Sequence, residues 1–261
     1  MAKIHTLFIS HGMPIMAIKP GPTHDFLKSL GRDLTRPKAI LCVSAHWEAV
    51  RPLVSTSSEP ETIHDFYGFP RPLHEMQYPT HGDPDLAKKA AALLKQAGFE
   101  VGTEGDRGLD HGAWAPLSLM YPEADIPVVQ LSVQSDLDAA HHFKLGEALQ
   151  PLREEGVLIM GSGGATHNLE EMSNHSADAE PPDYVADFDN WLEKSVTRGR
   201  SDTLIRFLEA GPSARRNHPF PAEHFLPLFV PLGAAGQGTP GRLLHRSFTY
   251  GVLSLAAYLW E

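Results

Sequence analysis

Fifteen of the 261 residues are histidine, and they are dispersed along the chain rather than gathered in a run. Histidine ligates metals and moves protons near neutral pH, so position decides which of the fifteen do chemistry. Three follow short apolar, strand-like segments: His11 in Ser10-His11-Gly12, His46 in Ser44-Ala45-His46-Trp47, and His167 in Gly163-Gly164-Ala165-Thr166-His167-Asn168. In open α/β sheets, ligands bind outside the carboxyl ends of the strands. Three imidazoles on that edge can converge although they are far apart in sequence, and imidazole suits zinc, iron, copper and nickel. One histidine at a strand end is most simply a polar residue, whereas three at one edge favour a metal centre. Gly12, Gly163 and Gly164 permit tight turns or close backbone approach beside them.

Two further stretches carry candidates. Leu109-Asp110-His111-Gly112-Ala113-Trp114 opens a short helical segment. There Asp110 either orients a neighbouring group, as carboxylates behind metal ligands do, or caps the helix and leaves His111 exposed. In Glu223-His224-Phe225-Leu226-Pro227, the adjacent Glu223 and His224 point in different directions on a helix, so one of them, not both, serves a given metal. His5, His141, His142, His175 and His245 read as surface positions. The chain has no His-Glu-x-x-His pair, no Cys pair and no Gly-x-Ser-x-Gly elbow. That argues against the zincin, structural-zinc and serine-hydrolase classes. The 161–164 stretch is not a phosphate loop, because no Gly-Lys-Ser/Thr follows.

The elements that must position these residues alternate in type. Residues 4–9, 39–43, 126–133 and 157–160 are short apolar runs of the kind that form buried parallel strands. Between them lie helices. Asp83-Pro84 provides an N-cap and a first-turn proline, Leu86, Ala90, Leu93, Leu94 and Ala97 trace one face, and Gly98 ends the segment. Asp138 caps a second helix carrying Leu145, Ala148, Leu149 and Leu152, and Pro181-Pro182 precedes a third with Tyr184, Phe188, Trp191 and Leu192. Alternation of this kind predicts a single α/β domain over residues 1–261, with a mainly parallel central sheet flanked by helices. Residues 243–259 predict one or two final strands, broken at Gly251. Residues 55–84 form a long Pro-, Gly- and aromatic-rich loop, and loops of that length are usually functional.

Bulk properties narrow the partners. The net charge is −10, from 22 Lys+Arg against 32 Asp+Glu, which disfavours nucleic acid. The start of the chain lacks the form of a signal peptide, and no apolar run is long enough to cross a bilayer. The lone Cys42 excludes an intramolecular disulfide, packs rather than reacts, and fits a reducing, cytoplasmic setting. The oligomeric state is left open.

Taken in order, Ser10-His11-Gly12, Ser44-Ala45-His46-Trp47, Thr62-Ile63-His64-Asp65-Phe66-Tyr67-Gly68-Phe69-Pro70, Asp110-His111-Gly112, Thr166-His167-Asn168-Leu169 and Glu223-His224-Phe225-Leu226-Pro227 span nearly the whole chain. Each motif is short, but the ordered set resembles the class III extradiol ring-cleavage dioxygenases, in particular the DOPA-dioxygenase-like branch. The resemblance implies one divalent metal at the sheet edge, with His11, His46 and His224 as its ligands. It implies His167 as the acid/base histidine, close enough to touch a zinc ion, and His111 as a pocket residue. Protocatechuate-type relatives use two His and one Glu; a third His departs from that facial triad and would hold Zn(II) as readily as Fe(II). Fe(II) is the metal expected for dioxygenase activity. A small catechol-type aromatic, DOPA-like or related, and O2 are the implied reactants. His64, Asp65 and Tyr67, with Phe66, would bind substrate and form a lid, or would simply pack the long loop. His74, Thr80 and His81 depart from the family pattern and leave room for a different substrate. Two other functions could use the same residues: a zinc hydrolase built on a metal hydroxide, and a non-catalytic interaction protein of the same fold.

Overall fold

A computed structural model describes residues 3–261. Met1 and Ala2, part of the start read as lacking a signal peptide, lie outside the described residues. The strands are β1 (Thr6–Ser10), β2 (Ala39–Glu48), β3 (Leu53–Ser55), β4 (Gly102–Glu104), β5 (Val128–Val133), β6 (Val157–Gly163), β7 (Arg242–His245), β8 (Phe248–Thr249), β9 (Leu253–Ser254) and β10 (Ala257–Trp260). Eight of them form one sheet in the order β4-β3-β5-β2-β6-β1-β10-β7. The centre, β5-β2-β6-β1, is parallel throughout. Antiparallel pairings of β3 with β5 and of β10 with β1 flank it.

Both faces of the centre are covered, which is why its strands read as apolar runs rather than alternating ones. Leu7, Ile9, Ile40, Cys42, Leu158 and Met160 pack on one side with Leu27 and Leu30 of the Pro22–Asp33 helix and Trp114 and Leu117 of the His111–Met120 helix. On the other side, Leu41, Val43, Leu131 and Ile159 meet Leu86 and Leu94 of Pro84–Gln96, Leu145 and Leu149 of Ala139–Leu149, and Val230 of Phe229–Ala235. Phe8, Tyr258 and Trp260 pack with Phe188, Leu192 and Val196 of Asp183–Thr197. The expected caps are present: Asp83 accepts from Leu86 N, and Asp138 from His141 N.

Three features differ from expectation. The C-terminal stretch holds four short strands, not one or two. Tyr250 and Gly251, both at positive φ, turn β8 back onto β9 in a separate small sheet. Strands β3 and β4 have three residues each, too few for a sequence period to show. His142 is not a surface residue but fully buried, while His5, His141, His175 and His245 are half-buried. The His142 ring is satisfied only when neutral. Its Nδ1–H donates to Asp138 O at 2.8 Å, and its Nε2 accepts from Gln134 N at 3.1 Å. Burial disfavours the charged ring and lowers the pKa to about 4, and a second proton would also face the Gln134 N–H. No described helix is long and apolar enough to cross a membrane.

The His142 pKa is depressed on folding, so its stabilisation is complete above the unfolded value of about 6.5 and declines as pH falls towards 4. The unfolding free energies of wild type and His142→Gln are expected to draw together by about 2 kcal/mol between pH 7 and pH 5. The other buried histidines are common to both chains and cancel. Urea denaturation at the two pH values measures the difference; a constant gap would refute the role.

Candidate metal centre and active site

Adjacent strands bring the histidines to one edge. Ser44 of β2 is level with Ser162 of β6, and Ser10 of β1 with Gly163. His11 therefore leaves β1 at the height where β2 reaches His46, in a stretch where its pairing with β5 is irregular. His224 arrives from the loop before the Leu226–Leu228 turn and lies over β6. Its carbonyl accepts from Gly164 N at 2.8 Å, and a Cβ on Gly163 would collide with that carbonyl oxygen. Gly163, the last residue of β6, thus admits another segment of the chain, the one that carries His224.

The ring nitrogens converge. His46 Nε2 lies 3.0 Å from His11 Nε2 and 3.3 Å from His224 Nε2. Around one zinc-like ion, tetrahedral imidazole nitrogens bound at about 2.0–2.1 Å are about 3.3 Å apart, so each of these two pairs has the spacing of ligands to a single cation. Each remote nitrogen faces an oxygen, as metal-ligating histidines require. The Ser162 hydroxyl donates to Gly112 O and accepts from His11 Nδ1–H at 2.9 Å. His224 Nδ1–H donates to Glu223 Oε1 at 2.7 Å, and Asp65 Oδ2 lies 3.6 Å from His46 Nδ1. These contacts assign the Nε2 lone pairs of His11 and His224 to the common centre.

Burial lowers the ring pKa values further. His11 and His224 fall well below the usual range, first by desolvation and then by neighbouring imidazoles. His46 is lowered to about 4 by burial and His111, against the opposing pull of Asp110, Asp65 and Glu223. His167, stacked on His224 with centroids 3.5 Å apart, is lowered to about 4 by burial, with Glu223 opposing. A pocket of imidazoles that are neutral at pH 7 is ready to bind a cation without first releasing protons.

Two sets of donor atoms lie wholly within 4.8 Å of one another, His11, His46 and His111, and His167, Glu223 and His224, and the approach of His46 to His224 links them. The carboxylate of Glu223 is engaged by His224 Nδ1 and so orients that ring. His111 is held from behind, since Asp65 Oδ1 accepts both its Nδ1–H at 3.0 Å and its backbone N–H at 2.9 Å. Those two bonds outweigh the burial of Asp65 and bring the carboxyl pKa down to about 2.

Asp110 does both things the sequence left open. It caps the His111–Met120 helix through Ala113 N, and it also accepts from Ser44 Oγ at 2.6 Å, Gln130 Nε2 at 2.9 Å and Arg107 at 2.7 Å. Ser44 Oγ in turn accepts from His46 N. His111 is buried rather than exposed. Gly112 is needed because any Cβ there would strike Ser44 Oγ.

A cavity of about 270 Å3 opens onto this cluster, lined by His11, His46, His111, His167 and His224. Phe66 and Phe69 of the long loop also line it, whereas His64, Asp65 and Tyr67 do not. His64 Nε2–H donates to Met76 O at 3.0 Å and packs edge-on against Trp114, and Tyr67 is 92% exposed. Of the three expected substrate contacts, the structure brings only Asp65 to the site, and it stands behind His111 and His46. Ser162, Ser44 and Gln130 went unread. The hydroxyls of Ser44 and Ser162, near the carboxyl ends of apolar strands, were the one available signal.

The model of a known family, the catalytic LigB subunit of aromatic ring-opening dioxygenase, matches residues 5–259. The chain belongs to this family. As a ring-opening dioxygenase, it has relatives named 4,5-DOPA dioxygenase extradiol in Beta vulgaris, 48% identical over 97% of this chain and 95% of the relative, and in Escherichia coli K12, 36% identical over 97% and 93%. A crystal structure of an uncharacterised Escherichia coli K12 protein superposes with a TM-score of 0.80 at 31% identity, covering 98% of this chain and 99% of that one. The activity of this LigB-family enzyme is extradiol cleavage of a catechol-type ring with dioxygen. The hydrolase and interaction-protein alternatives have no such support.

Two substitutions test the geometry. Asp65→Ala, which frees the His111 ring, is expected to lower turnover roughly 10–100-fold, while Tyr67→Ala changes it by no more than about twofold, as a surface change should. Equal effects in steady-state kinetics would contradict the placement. Gly163→Ala should displace His224 and weaken metal retention, read by metal analysis after dialysis; unchanged metal content would count against the close approach.

Proposed function

We propose that His11, His46 and His224 hold one divalent metal ion, Fe(II) in the active enzyme, and that the protein opens a small catechol between the ring carbon bearing a hydroxyl and its unhydroxylated neighbour. The observation carrying this reading is the meeting of three Nε2 atoms, each backed at Nδ1 by an oxygen, at the floor of an aromatic-sized cavity. When bound, the ion supplies a Lewis acid for the catechol oxygens and, as Fe(II), the electrons that dioxygen chemistry needs. Zn(II) fits the same three imidazoles but cannot supply those electrons.

The chain's own residues do the rest. His167, stacked on His224 and lining the cavity, takes a proton from a catechol hydroxyl and returns it as the ring opens. His111, braced by Asp65, presents its Nε2 edge beside His46 and orients the substrate. Phe66 and Phe69 cover the ring and exclude water. The ligand set, these roles and a single catalytic domain over residues 1–261 form one proposal. The relatives' printed substrate makes DOPA-like catechols the first to try. A cytoplasmic setting is proposed from the lone, buried Cys42.

Anaerobic reconstitution with Fe(II), followed by catechol and O2, should give oxygen uptake and a yellow ring-opened product. His46→Ala is expected to lose the metal. His167→Ala is expected to keep the metal while losing turnover by roughly 10²–10⁴-fold. Metal and activity retained in both variants would sink the assignment, as would ester or amide hydrolysis by the zinc form with no oxygen uptake from the iron form.

A further inference from the structure

The sheet brings β2 to the height of the histidine cluster but does not hold the residue that reaches it. Pairing of β2 with β6 stops at Ser44, and pairing with β5 breaks after Val43 and resumes only at Glu48. Ala45, His46 and Trp47 thus have no strand partner in either register, although a working site needs its groups fixed to within about 0.5 Å. Side chains take up both backbone groups of His46. Its N–H donates to Ser44 Oγ at 3.2 Å, and its carbonyl accepts from an Arg107 Nη at 3.3 Å. The two side chains share one anchor. The same Arg107 nitrogen donates to Asp110 Oδ2 at 2.7 Å, and Ser44 Oγ donates to Asp110 Oδ1 at 2.6 Å. Asp110 is fully buried and caps the helix behind it. The Arg107 guanidinium also lies over the Trp47 ring, 5.3 Å from its centre. Arg107 sits in a segment tied to the long loop, where Leu109 N donates to Glu61 O at 2.7 Å and Ile63 N to Leu109 O at 2.8 Å.

Given the reading of His46 as a metal ligand, on which this rests, we infer that Arg107 and Ser44 are positioning residues for ring opening: anchored on Asp110, they hold the carbonyl and N–H of His46, replace the missing sheet pairing and set where its imidazole meets His11 and His224. Neither lines the active-site cavity, so neither touches substrate. Arginine suits the task, because its flat guanidinium stacks on an aromatic ring while its edge donates in the plane. A lysine ammonium keeps the charge beside Asp110, but its stem is one bond shorter and it has no face to stack on Trp47. Ser44 needs its hydroxyl, which accepts from His46 N and donates to Asp110 at once.

The experiment compares wild type, Arg107→Lys, Ser44→Ala and His46→Ala. Amide hydrogen exchange at His46 is followed by NMR in the metal-free proteins, and Co(II) is then titrated in, with its affinity and visible absorption recorded beside the urea midpoint of each protein. Exchange at His46 is expected to quicken about fivefold in Arg107→Lys and in Ser44→Ala, the worth of one hydrogen bond. Co(II) affinity should fall roughly 10–100-fold in both, with a shifted absorption band in the protein that remains folded. A merely structural role would lower the urea midpoint and leave that band where it is in wild type. Either variant that folds decides the matter: unchanged exchange with unchanged Co(II) affinity, or weaker affinity with an unshifted band, would overturn the inference. Co(II) binding by His46→Ala as tight as that of wild type would instead defeat the ligand reading, and exchange in the metal-free proteins would still decide whether Arg107 and Ser44 hold this stretch of β2.

Discussion

Imidazole nitrogens brought this close must share either a proton or a cation. The site depends on that constraint. His46 Nε2 lies 3.0 Å from His11 Nε2 and 3.3 Å from His224 Nε2, and burial disfavours a second proton on any of the three rings. The fold imposes the arrangement from outside. A parallel sheet brings His11 and His46 to one height, Gly163 at the end of β6 admits the backbone of His224, and an oxygen behind each ring fixes its orientation. Removing any one of these loosens the common point more than it loosens the sheet, because the core on both faces does not involve the rings.

The parallel centre of the sheet and the helix caps at Asp83 and Asp138 were legible in the sequence, since each rests on a local pattern: a buried run, or a capping residue before a helical face. His11, His46 and His167 were legible for the same reason, as strand ends. His224 was not separable from Glu223 by any local rule. The two turn out to act in series, one towards the centre and the other behind it, and only the position of the loop over β6 determines which does which. The 55–84 loop was harder still. It has no period, so the direction of each side chain is set by distant partners: Met76 O takes His64, His111 takes Asp65, and nothing takes Tyr67. His142 belongs to the same class. Its burial follows from Gln134 and Asp138, which meet it on both ring nitrogens, and a single residue on a mixed helix face does not reveal that.

The buried polar groups around the centre form a connected set. Asp110 joins Ser44, Gln130 and Arg107, and Ser44 reaches the backbone of His46. Asp110 is the satisfied hub of this set, whereas Arg107 Nε and Gln130 Oε1 are buried without a partner. Asp110 accepts four hydrogen bonds and carries its own counter-ion in Arg107. It therefore stabilises the strand end without adding net charge to the histidine cluster.

Charge balance then links the ion to the shape of the cavity. Two carboxylates face the rings without a Lys or Arg partner of their own: Asp65 behind His111 and His46, and Glu223 behind His224. Together they would match the charge of one divalent cation held among the rings. The rest of the cavity wall is mostly methionine, leucine and phenylalanine side chains, with Thr166 and Ser254 among them. The titratable groups thus gather at the strand ends and the His224 loop, while the long loop and the β8–β9 hairpin supply apolar surface.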